Sequence, residues 1–359
     1  MKPPLRSKAG DDGYLIWRRV LAVEQMSTKG ANPMKSLLLA FSAAFLVAAA
    51  PTAPQVVRRI PLHDGGWDIL TVDPQAHRLF VSRSDGVDAV DIRTGGVTSD
   101  LIRGSRFHGV TVIPETELAV ATEAAGTAIV FNRLTGKITA EVKTDPDADA
   151  TIYEPGTRTL WVMNGDSGTI SIVDPVAGAA VGKIIIGSAI EFPAIDGRGH
   201  LFVNVTDKSE LAEVDIASRK VMRTIPLAGC KHPTGLAYVS PGVLISACAN
   251  GFAKLTKASD LTPLGDFAIG PRPDGAFADP ARHRAYVPSG GDGTLAVIDT
   301  SGPLPRKIAT VQTEVGARTG TVDPSTGTVY LIGAKFGPPP AQGGRPPLVP
   351  GSVELLVVR

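Results

Sequence analysis

A set of similar segments recurs along most of the chain and restricts the folds that it can adopt. They are WDILTVDPQAHRLFVS, HGVTVIPETELAVAT, DATIYEPGTRTLWVMN, EFPAIDGRGHLFVN, TGLAYVSPGVLISAC, DGAFADPARHRAYVPS and RTGTVDPSTGTVYLIG. Each contains two short apolar runs around a turn with Pro or Gly, which is the pattern of two antiparallel strands. A third strand usually follows, as in GTISIVD, and then a fourth, as in GKITAEVK.

The length of this repeat favours a β-propeller. The seven units between Trp67 and Arg359 take about 42 residues each, which is typical of a four-stranded propeller blade. A single blade cannot bury its own faces, so the blades must pack around a common axis. The 39 Gly and 29 Pro residues suit many tight turns. We therefore predict an all-β, seven-bladed β-propeller over residues 55–359, with four antiparallel strands in each blade.

The two ends of this region complete one another. The seventh unit has strands at 319–322, 328–332 and 352–358, and it lacks an outermost strand. The segment QVVRRIPL, residues 55–62, precedes the first unit and is free to supply that strand. Joining the first and last strands in one blade closes the ring and removes its open edges. We predict that residues 55–62 lie beside 352–358.

The first part of the chain has a different character. From Met34, a lysine and an apolar run lead to small residues, with Val47 and Ala49 suited to positions −3 and −1 of a cleavage site. Residues 34–49 are therefore interpreted as a secretory signal peptide, too short for a comfortable membrane span. The alternative is a short amphipathic core or membrane helix. Residues 1–33 match neither a signal nor a folded segment, and we expect translation to begin at Met34.

The mature chain would be exported to the periplasm or the extracellular space, with no membrane span. Without residues 1–49 it holds 29 basic and 32 acidic residues, a net charge of −3. This balance argues against nucleic acid as a partner. The sequence has no C-x-x-C-H, P-loop, G-x-S-x-G or dinucleotide-binding fingerprint. We expect a monomer whose partner is a protein or a small molecule, and no cofactor is evident.

One stretch identifies a family resemblance. LWVMNGDSGTISIVDPVAGAAVGKIIIG resembles the YVTN-type β-propeller repeat, and the chain is similar to YncE-like exported bacterial propellers. GGWDILTVDP, CKHPTGLA, GDGTLAVID and GARTGTVDP strengthen the match. The resemblance covers residues 55–359 and implies the fold. It implies little about activity, because propellers host unrelated functions.

Equivalent positions of the repeat predict a site. In a propeller, the loop that leads into each innermost strand opens near the axis. The position five residues before the turn of each unit should therefore lie at the mouth of the axial channel. Six of these seven positions hold ionisable side chains. The seven residues are Asp68, His108, Asp149, Glu191, Thr234, Asp274 and Arg318.

Four carboxylates near one axis repel one another unless one is protonated or a cation lies among them. Oxygen ligands suit Ca²⁺ or Mg²⁺, and an imidazole adds Zn²⁺ or another transition metal. The candidate metal ligands are Asp149, Glu191 and His108. In the alternative interpretation these side chains only pair with each other or with the backbone of the next blade. Arg318 lies between two of the acids in the cyclic order and could simply pair with them.

Other side chains are expected on the same face. The second strands end there, at Arg83, Thr122, Asn164, Asn204, Cys248 and Ser289. Trp67, Trp161 and Phe192 either stack on a ring-shaped ligand or, as we favour, pack between blades. The Pro- and Gly-rich loop 333–351 is either a lid or partner contact, or a disordered insertion.

The two cysteines predict a disulfide. Cys230 lies in the loop that leads into the fifth unit, and Cys248 ends the second strand of that unit. Both positions face the same side of a propeller, and exported chains commonly pair such cysteines. The alternative is a thiol pair with redox or metal-binding work. The nearby His232, in a His-Pro turn, is expected to be structural.

Two functions remain open from the sequence. The first, which we favour, is an exported YncE-like propeller that binds a ligand or partner, or acts as a scaffold, through its channel-mouth face. The second is an enzyme: a metal-assisted, lactonase-like hydrolase or a quinoprotein-type oxidoreductase. A hydrolase would use the carboxylates and His108 around a metal. An oxidoreductase would need a quinone cofactor or a partner subunit that the sequence does not indicate.

Overall fold

A computed structural model describes residues 54–239, 241–340, 344 and 346–359. Within these residues 28 β-strands form seven four-stranded antiparallel sheets, as predicted. The signal peptide predicted at 34–49 and the extension at 1–33 lie outside the described residues. In the described part of the chain, no helix combines the length and apolar character that a membrane crossing requires.

Each of the first six sheets is built from four consecutive strands, ordered from innermost to outermost. Blade 1 contains β2 Trp67–Asp73, β3 Arg78–Arg83, β4 Gly86–Asp91 and β5 Val97–Arg103. Blade 2 contains β6 Phe107–Val112, β7 Leu118–Glu123, β8 Thr127–Asn132 and β9 Ile138–Lys143. Blade 3 contains β10 Ala148–Glu154, β11 Thr159–Asn164, β12 Thr169–Asp174 and β13 Ala179–Ile185. Blade 4 contains β14 Ile190–Ile195, β15 His200–Val205, β16 Glu210–Asp215 and β17 Lys220–Pro226.

The remaining blades follow the same plan. Blade 5 contains β18 Pro233–Val239, β19 Val243–Cys248, β20 Phe252–Lys257 and β21 Pro263–Ala268. Blade 6 contains β22 Phe277–Asp279, β23 Arg284–Ser289, β24 Thr294–Asp299 and β25 Arg306–Gln312, with a 3-10 helix at Pro280–Arg282 after β22. Blade 7 contains β26 Gly320–Val322, β27 Val329–Gly333, β28 Glu354–Val358 and, outermost, β1 Val56–Pro61.

The chain closes its own ring, as the sequence predicted. Strand β1 pairs antiparallel with β28, from Val56 opposite Val358 to Pro61 opposite Glu354. The backbone N–H of Gln55 donates to the carbonyl of Arg359 at 2.8 Å, and this pairing extends the ladder by one residue. Blade 7 is therefore held together by both ends of the folded region, which leaves no unfinished blade.

The apolar core lies between adjacent blades. Every residue of the second strand β11 is buried, whereas the outermost strand β17 is almost entirely exposed. Phe80 of blade 1 meets Phe131 of blade 2 edge to face, with ring centroids 6.0 Å apart. Apolar side chains on both faces of the inner strands therefore bind neighbouring blades together, which explains why a lone blade would be unstable.

A disulfide joins Cys230 and Cys248, which confirms the prediction. The bond ties the loop before β18 to the end of β19, and both residues are buried. In this disulfide-bonded form neither cysteine is a free thiol that could bind a metal, and the redox alternative stays untested.

Candidate functional site

A β-bulge opens the innermost strand of the first five blades. In β2, Trp67 pairs with Arg83, but the next pair is Leu70 with Val81. The same irregularity follows the first residue of β6, β10, β14 and β18. A bulge interrupts the ladder, increases the local twist and redirects side chains. The residues that directly follow the first pair in each bulge are Asp68, His108, Asp149, Glu191 and Thr234.

In the last two blades the equivalent residues precede the regular strands. Asp274 comes before β22, where Pro273 makes an isolated bridge to Ser289. The amides of Asp274 and Gly275 both donate to the carbonyl of Arg318, at 3.2 and 3.0 Å. We call the seven residues predicted from the repeat the mouth ring: Asp68, His108, Asp149, Glu191, Thr234, Asp274 and Arg318.

One member of the mouth ring holds neighbouring blades together. The hydroxyl of Thr234 donates to the carbonyl of Pro273 in the next blade at 3.1 Å. The strands approach so closely here that a Cβ on Gly235 would lie 2.3 Å from the carbonyl carbon of Gly275. Thr234 therefore fits the structural alternative, in which a ring side chain bonds to the adjacent blade.

The centre of the mouth ring is an imidazole among carboxylates. The Nδ1 atom of His108 lies 2.9 Å from Asp68 Oδ2 and 3.7 Å from Asp149 Oδ1. On the opposite side of the imidazole, His108 Nε2 lies 3.7 Å from Asp147 Oδ1. This Nε2 atom is buried and has no hydrogen-bond partner among the described residues. Three acids from blades 1 and 3 thus surround one histidine of blade 2.

The carboxylates change the proton affinity of His108, and it changes theirs. Burial alone would lower the pKa of His108, but the hydrogen bond to Asp68 and the charge of Asp149 outweigh it and raise that pKa. Burial, and then the charge of Asp68, raises the pKa of Asp149 to about 8, although His108 opposes the shift. Asp149 therefore holds a proton near neutral pH unless positive charge approaches it.

The next blades continue this acidic environment. Burial, followed by the charges of Asp149 and Asp274, raises the pKa of Glu191 to about 9. Burial raises the pKa of Asp274 to about 6, and Arg318 partly offsets the effect through an Nε–Oδ2 contact of 2.7 Å. Only part of the negative charge is therefore compensated by Arg318.

The structure groups the candidate metal ligands differently from the sequence. Among the described residues, Asp68, His108 and Asp149 form a group whose ligand atoms all lie within 4.8 Å of one another. The ligand set predicted from the sequence contained Glu191 where this group contains Asp68. One imidazole nitrogen and two carboxylate oxygens suit Zn²⁺ and other divalent transition metals. The metal-binding role of these residues stays a prediction.

Sequence reasoning missed Asp147. It lies in the loop before β10, at a positive φ of 61°, and its Oδ2 accepts the backbone N–H of Asp166 at 3.0 Å. The signal was present in the run TDPDAD, which places an extra acid two residues before Asp149. A prediction that takes one residue from each blade misses it, because Asp147 and Asp149 of the same blade both lie close to His108.

The ends of the second strands play a different part from the mouth ring. They are fully buried, with exposures of 0–1%, at Arg83, Thr122, Asn164, Asn204, Cys248 and Ser289. The Thr122 hydroxyl donates to the carbonyl of Asp149 at 2.8 Å, and the Asn204 amide donates to the carbonyl of Thr234 at 3.0 Å. Thr122 and Asn204 thus hold the backbone beneath the mouth ring.

The aromatic residues mostly pack, as favoured. Trp161 is 1% exposed, and its indole N–H donates to Thr159. Phe192 packs against two core clusters between blades. Trp67 is different, because it is only partly buried and lines a cavity beside the ring.

The described part of loop 333–351 forms an ordered arm. Phe336 and Leu348 make an antiparallel bridge within it. The backbone N–H of Gly351 donates to the carboxylate of Asp64 at 2.9 Å, which ties the arm to the loop before blade 1. The disordered-insertion interpretation also concerns 341–343 and 345, which lie outside the described residues, and it stays a prediction. Whether the arm acts as a lid or a partner contact stays open.

No family model matches the chain, and no curated protein matches it. Solved structures do. A chain from the crystal structure of a mitotic checkpoint complex superposes with a TM-score of 0.71 at 11% identity, covering 96% of this chain and 99% of that one. The WD40 repeats of RRP9 superpose at 0.70 and 12% identity, covering 86% and 99%. Hydrazine synthase of Kuenenia stuttgartiensis superposes at 0.64 and 17% identity, covering 76% and 94%.

These similarities confirm the fold and test neither the family affiliation nor the function. At such low identity they show a seven-bladed β-propeller with WD40-like structural neighbours. They do not test the YncE-like or YVTN affiliation, which stays a prediction. Function has to be argued from the site itself, because unrelated activities share this architecture.

Proposed function

We propose that this protein is an exported, YncE-like binding propeller whose mouth ring binds a divalent metal ion through Asp68, His108 and Asp149. The observation that supports it is the excess of acid over base around one histidine. Two basic side chains, His108 and Arg318, face five acids. The acids are Asp68, Asp147, Asp149, Glu191 and Asp274.

The spacing of the donor atoms suits a metal. Bonds of about 2.1 Å place neighbouring ligand atoms roughly 3 to 3.5 Å apart in tetrahedral or octahedral geometry. His108 Nδ1 lies 2.9 Å from Asp68 and 3.7 Å from Asp149, so small side-chain shifts would complete the site. With Nδ1 on the metal, the Nε2–H would point to Asp147. Metal-bound histidines commonly donate their second N–H to a carboxylate, which fixes the ring and its tautomer.

A cation would also remove the electrostatic cost of the acids. Asp149 and Glu191 hold protons near neutral pH because burial and mutual repulsion disfavour their charged forms. A divalent ion replaces the proton of a coordinating carboxyl, so binding would release protons and strengthen as pH rises.

Export and partner binding belong to the same proposal. The disulfide between Cys230 and Cys248 supports an oxidising compartment, since such bonds are rare in the reducing cytosol. The segment 34–49 supplies the proposed signal peptide. One structural neighbour is part of a mitotic checkpoint complex, which is an assembly of proteins. A metal at the mouth would order the face on which we propose that a partner or ligand docks.

Metal content and metal titration test the proposal. We expect the purified protein to hold about one equivalent of Zn²⁺ or Mn²⁺, detected by elemental analysis and by calorimetric titration after chelation. His108→Gln should reduce affinity at least about 100-fold, and Asp147→Asn about 10- to 100-fold. Glu141→Gln, an exposed acid on outermost strand β9, is the matched control and should bind as the parent does. If the parent protein binds none of Zn²⁺, Mn²⁺ and Ca²⁺ in the titration, the proposal is overturned.

A hydrolase is the second candidate, and one observation favours it. The raised pKa of Glu191, about 9, would keep a protonated carboxyl beside the metal site, as a general acid requires. Glu191→Gln should then retain metal and lose lactone hydrolysis, measured with a simple γ-lactone. If the parent protein shows no metal-dependent turnover, the hydrolase candidate is contradicted and the binding function remains. No contact among the described residues specifically favours the quinoprotein-type oxidoreductase.

A further inference from the structure

A cavity of about 430 Å³ opens beside the mouth ring, where blades 6, 7 and 1 meet. Its size falls within the usual range of small-molecule sites, roughly 300–1,000 Å³. It shares Arg318 with the mouth ring and none of the proposed metal ligands. The lining residues that matter here are Trp67, Arg272, Gly290, Gly316, Arg318 and Phe336.

Two glycines keep this cavity open. A Cβ on Gly290 would lie 2.9 Å from the Cβ of Arg318, and a Cβ on Gly316 would lie 2.8 Å from the ring of Phe336. Gly316 also adopts a φ of +91°, which other residues rarely tolerate. Its N–H donates to the carbonyl of Gly290 at 2.8 Å, so backbone rather than side chains forms this wall.

Two guanidinium groups border the cavity with unused donors. Arg318 contacts Asp274 through Nε, and its terminal nitrogens make no hydrogen bond among the described residues. Arg272 is exposed, and its side chain makes no hydrogen bond or ion pair with any described residue. Guanidinium groups with free paired donors recognise carboxylates through two parallel hydrogen bonds.

Aromatic surface completes the lining. Trp67 is partly buried against the core between blades 7 and 1, and Phe336 remains 39% exposed on the ordered arm. An aromatic lining beside guanidinium groups whose terminal N–H donors are free suits a ligand with an apolar ring and an anionic end. We propose that this cavity binds a small aromatic carboxylate, its ring against Trp67 and Phe336 and its carboxylate on Arg272 and Arg318.

A titration with 2-naphthoate tests this proposal, in buffer containing a chelator so that the outcome is independent of metal binding. We expect saturable binding with a Kd of about 1 mM or lower by calorimetry. The neutral analogue 2-naphthamide should bind at least about tenfold more weakly, because it loses the charge-assisted hydrogen bonds. Acetate, which lacks the ring, should show no saturation at the same concentrations.

Variants locate the binding. Arg272→Gln and Phe336→Ala should each weaken 2-naphthoate binding about tenfold while the melting temperature stays unchanged. Arg103→Gln, an 81% exposed arginine on outermost strand β5, is the matched control and should bind as the parent does. Inorganic phosphate in excess should displace 2-naphthoate only weakly. Equal affinity for naphthamide, full binding by both cavity variants, or displacement by equimolar phosphate would each overturn the proposal.

Discussion

Acidic residues stand at both ends of the innermost strands, five positions apart in sequence, and their surroundings differ. At the mouth end they are Asp68, Asp149, Glu191 and Asp274, and at the turn end they are Asp73, Glu154, Asp196, Asp279 and Asp323. The turn-end acids accept backbone N–H groups of their own turns, as Glu154 does from Gly156 and Thr157. The mouth-end acids face one another across blades.

The proton affinities of the two sets diverge accordingly. Burial alone would raise the pKa of Glu154, Asp196 and Asp323, but hydrogen bonds from their turns outweigh it and lower all three. At the mouth, burial and like charge act together and raise the pKa of Asp149 and Glu191 to about 8 and 9.

The two sets of acids therefore differ in their availability to a ligand. A carboxylate that already accepts two or three hydrogen bonds stabilises its turn and gains little from an external cation. A carboxylate held among other carboxylates gains a great deal from one. The same residue type is therefore structural at one end of the strand and available to a ligand at the other.

The largest effect should come from the turn end. Asp73 is 1% exposed, and it accepts the N–H of Ala76 and pairs with the buried guanidinium of Arg133. Asp73→Ala leaves that cation buried and unpaired, so we expect a loss of about 3–5 kcal/mol of unfolding free energy, measured by denaturant titration. Asp73→Asn, which keeps an acceptor for Ala76, should lose less. A loss below about 1 kcal/mol would contradict the structural role of the turn-end acids.

The mouth-side loop of blade 5 has a covalent support of its own. Replacing both Cys230 and Cys248 by Ser opens a loop of 18 residues, which should cost about 3 kcal/mol in the chain-entropy account. Metal affinity should be unchanged, because neither cysteine contacts the proposed ligands. Denaturant titration of oxidised, reduced and substituted protein provides the measurement, and equal stability of all three would contradict the expectation.

The mouth acids should destabilise the metal-free protein as pH rises. Their unfolded carboxyls titrate near pH 4, whereas folded Asp149 and Glu191 titrate at about 8 and 9. Between these limits the folded state binds more protons, so its stability falls with increasing pH and stays low above pH 9.

The double variant Asp149→Asn with Glu191→Gln removes both titrating groups. We expect it to be more stable than the parent by about 1–3 kcal/mol at pH 9 with chelator present, and to show little difference near pH 4. Thermal unfolding across this pH range measures the slope. A parallel slope in parent and variant would show that the mouth acids are as well compensated as the turn acids.

The smallest effect separates the structural member of the mouth ring from its neighbours. Thr234→Val removes the hydroxyl that donates to Pro273, and should cost about 1 kcal/mol of stability. It should leave metal affinity unchanged. A metal affinity reduced tenfold or more would place Thr234 with the ligand-binding residues instead.

Much of the architecture could be predicted because it is local and repeated. The turn after each innermost strand, such as VDPQAH after β2 and VDPSTG after β26, marks the register of each blade. Counting five residues back from it reached Asp68, Asp149 and Arg318, because this spacing is kept even where the regular strand is shorter, as in β26. The closing pair of β1 and β28 followed from one missing strand and one spare segment.

The site could be predicted only in outline. The extra acid, Asp147, converges on His108 because its loop turns back with a positive φ. The cavity at Trp67 and Arg272 depends on the arm carrying Phe336, whose path no repeat predicts. Neither feature has a counterpart in the other blades, so the periodic pattern carried no information about it.

The number of blades, the closure of the ring and the disulfide follow from the amino-acid sequence, because strands, turns and cysteine positions depend on nearby residues and a fixed period. Which acids lack hydrogen-bond donors, and which of them group around His108, depends instead on the tertiary structure. Those properties depend on burial and on charges about 40 residues away in sequence, brought within a few ångströms by the packing of separate blades.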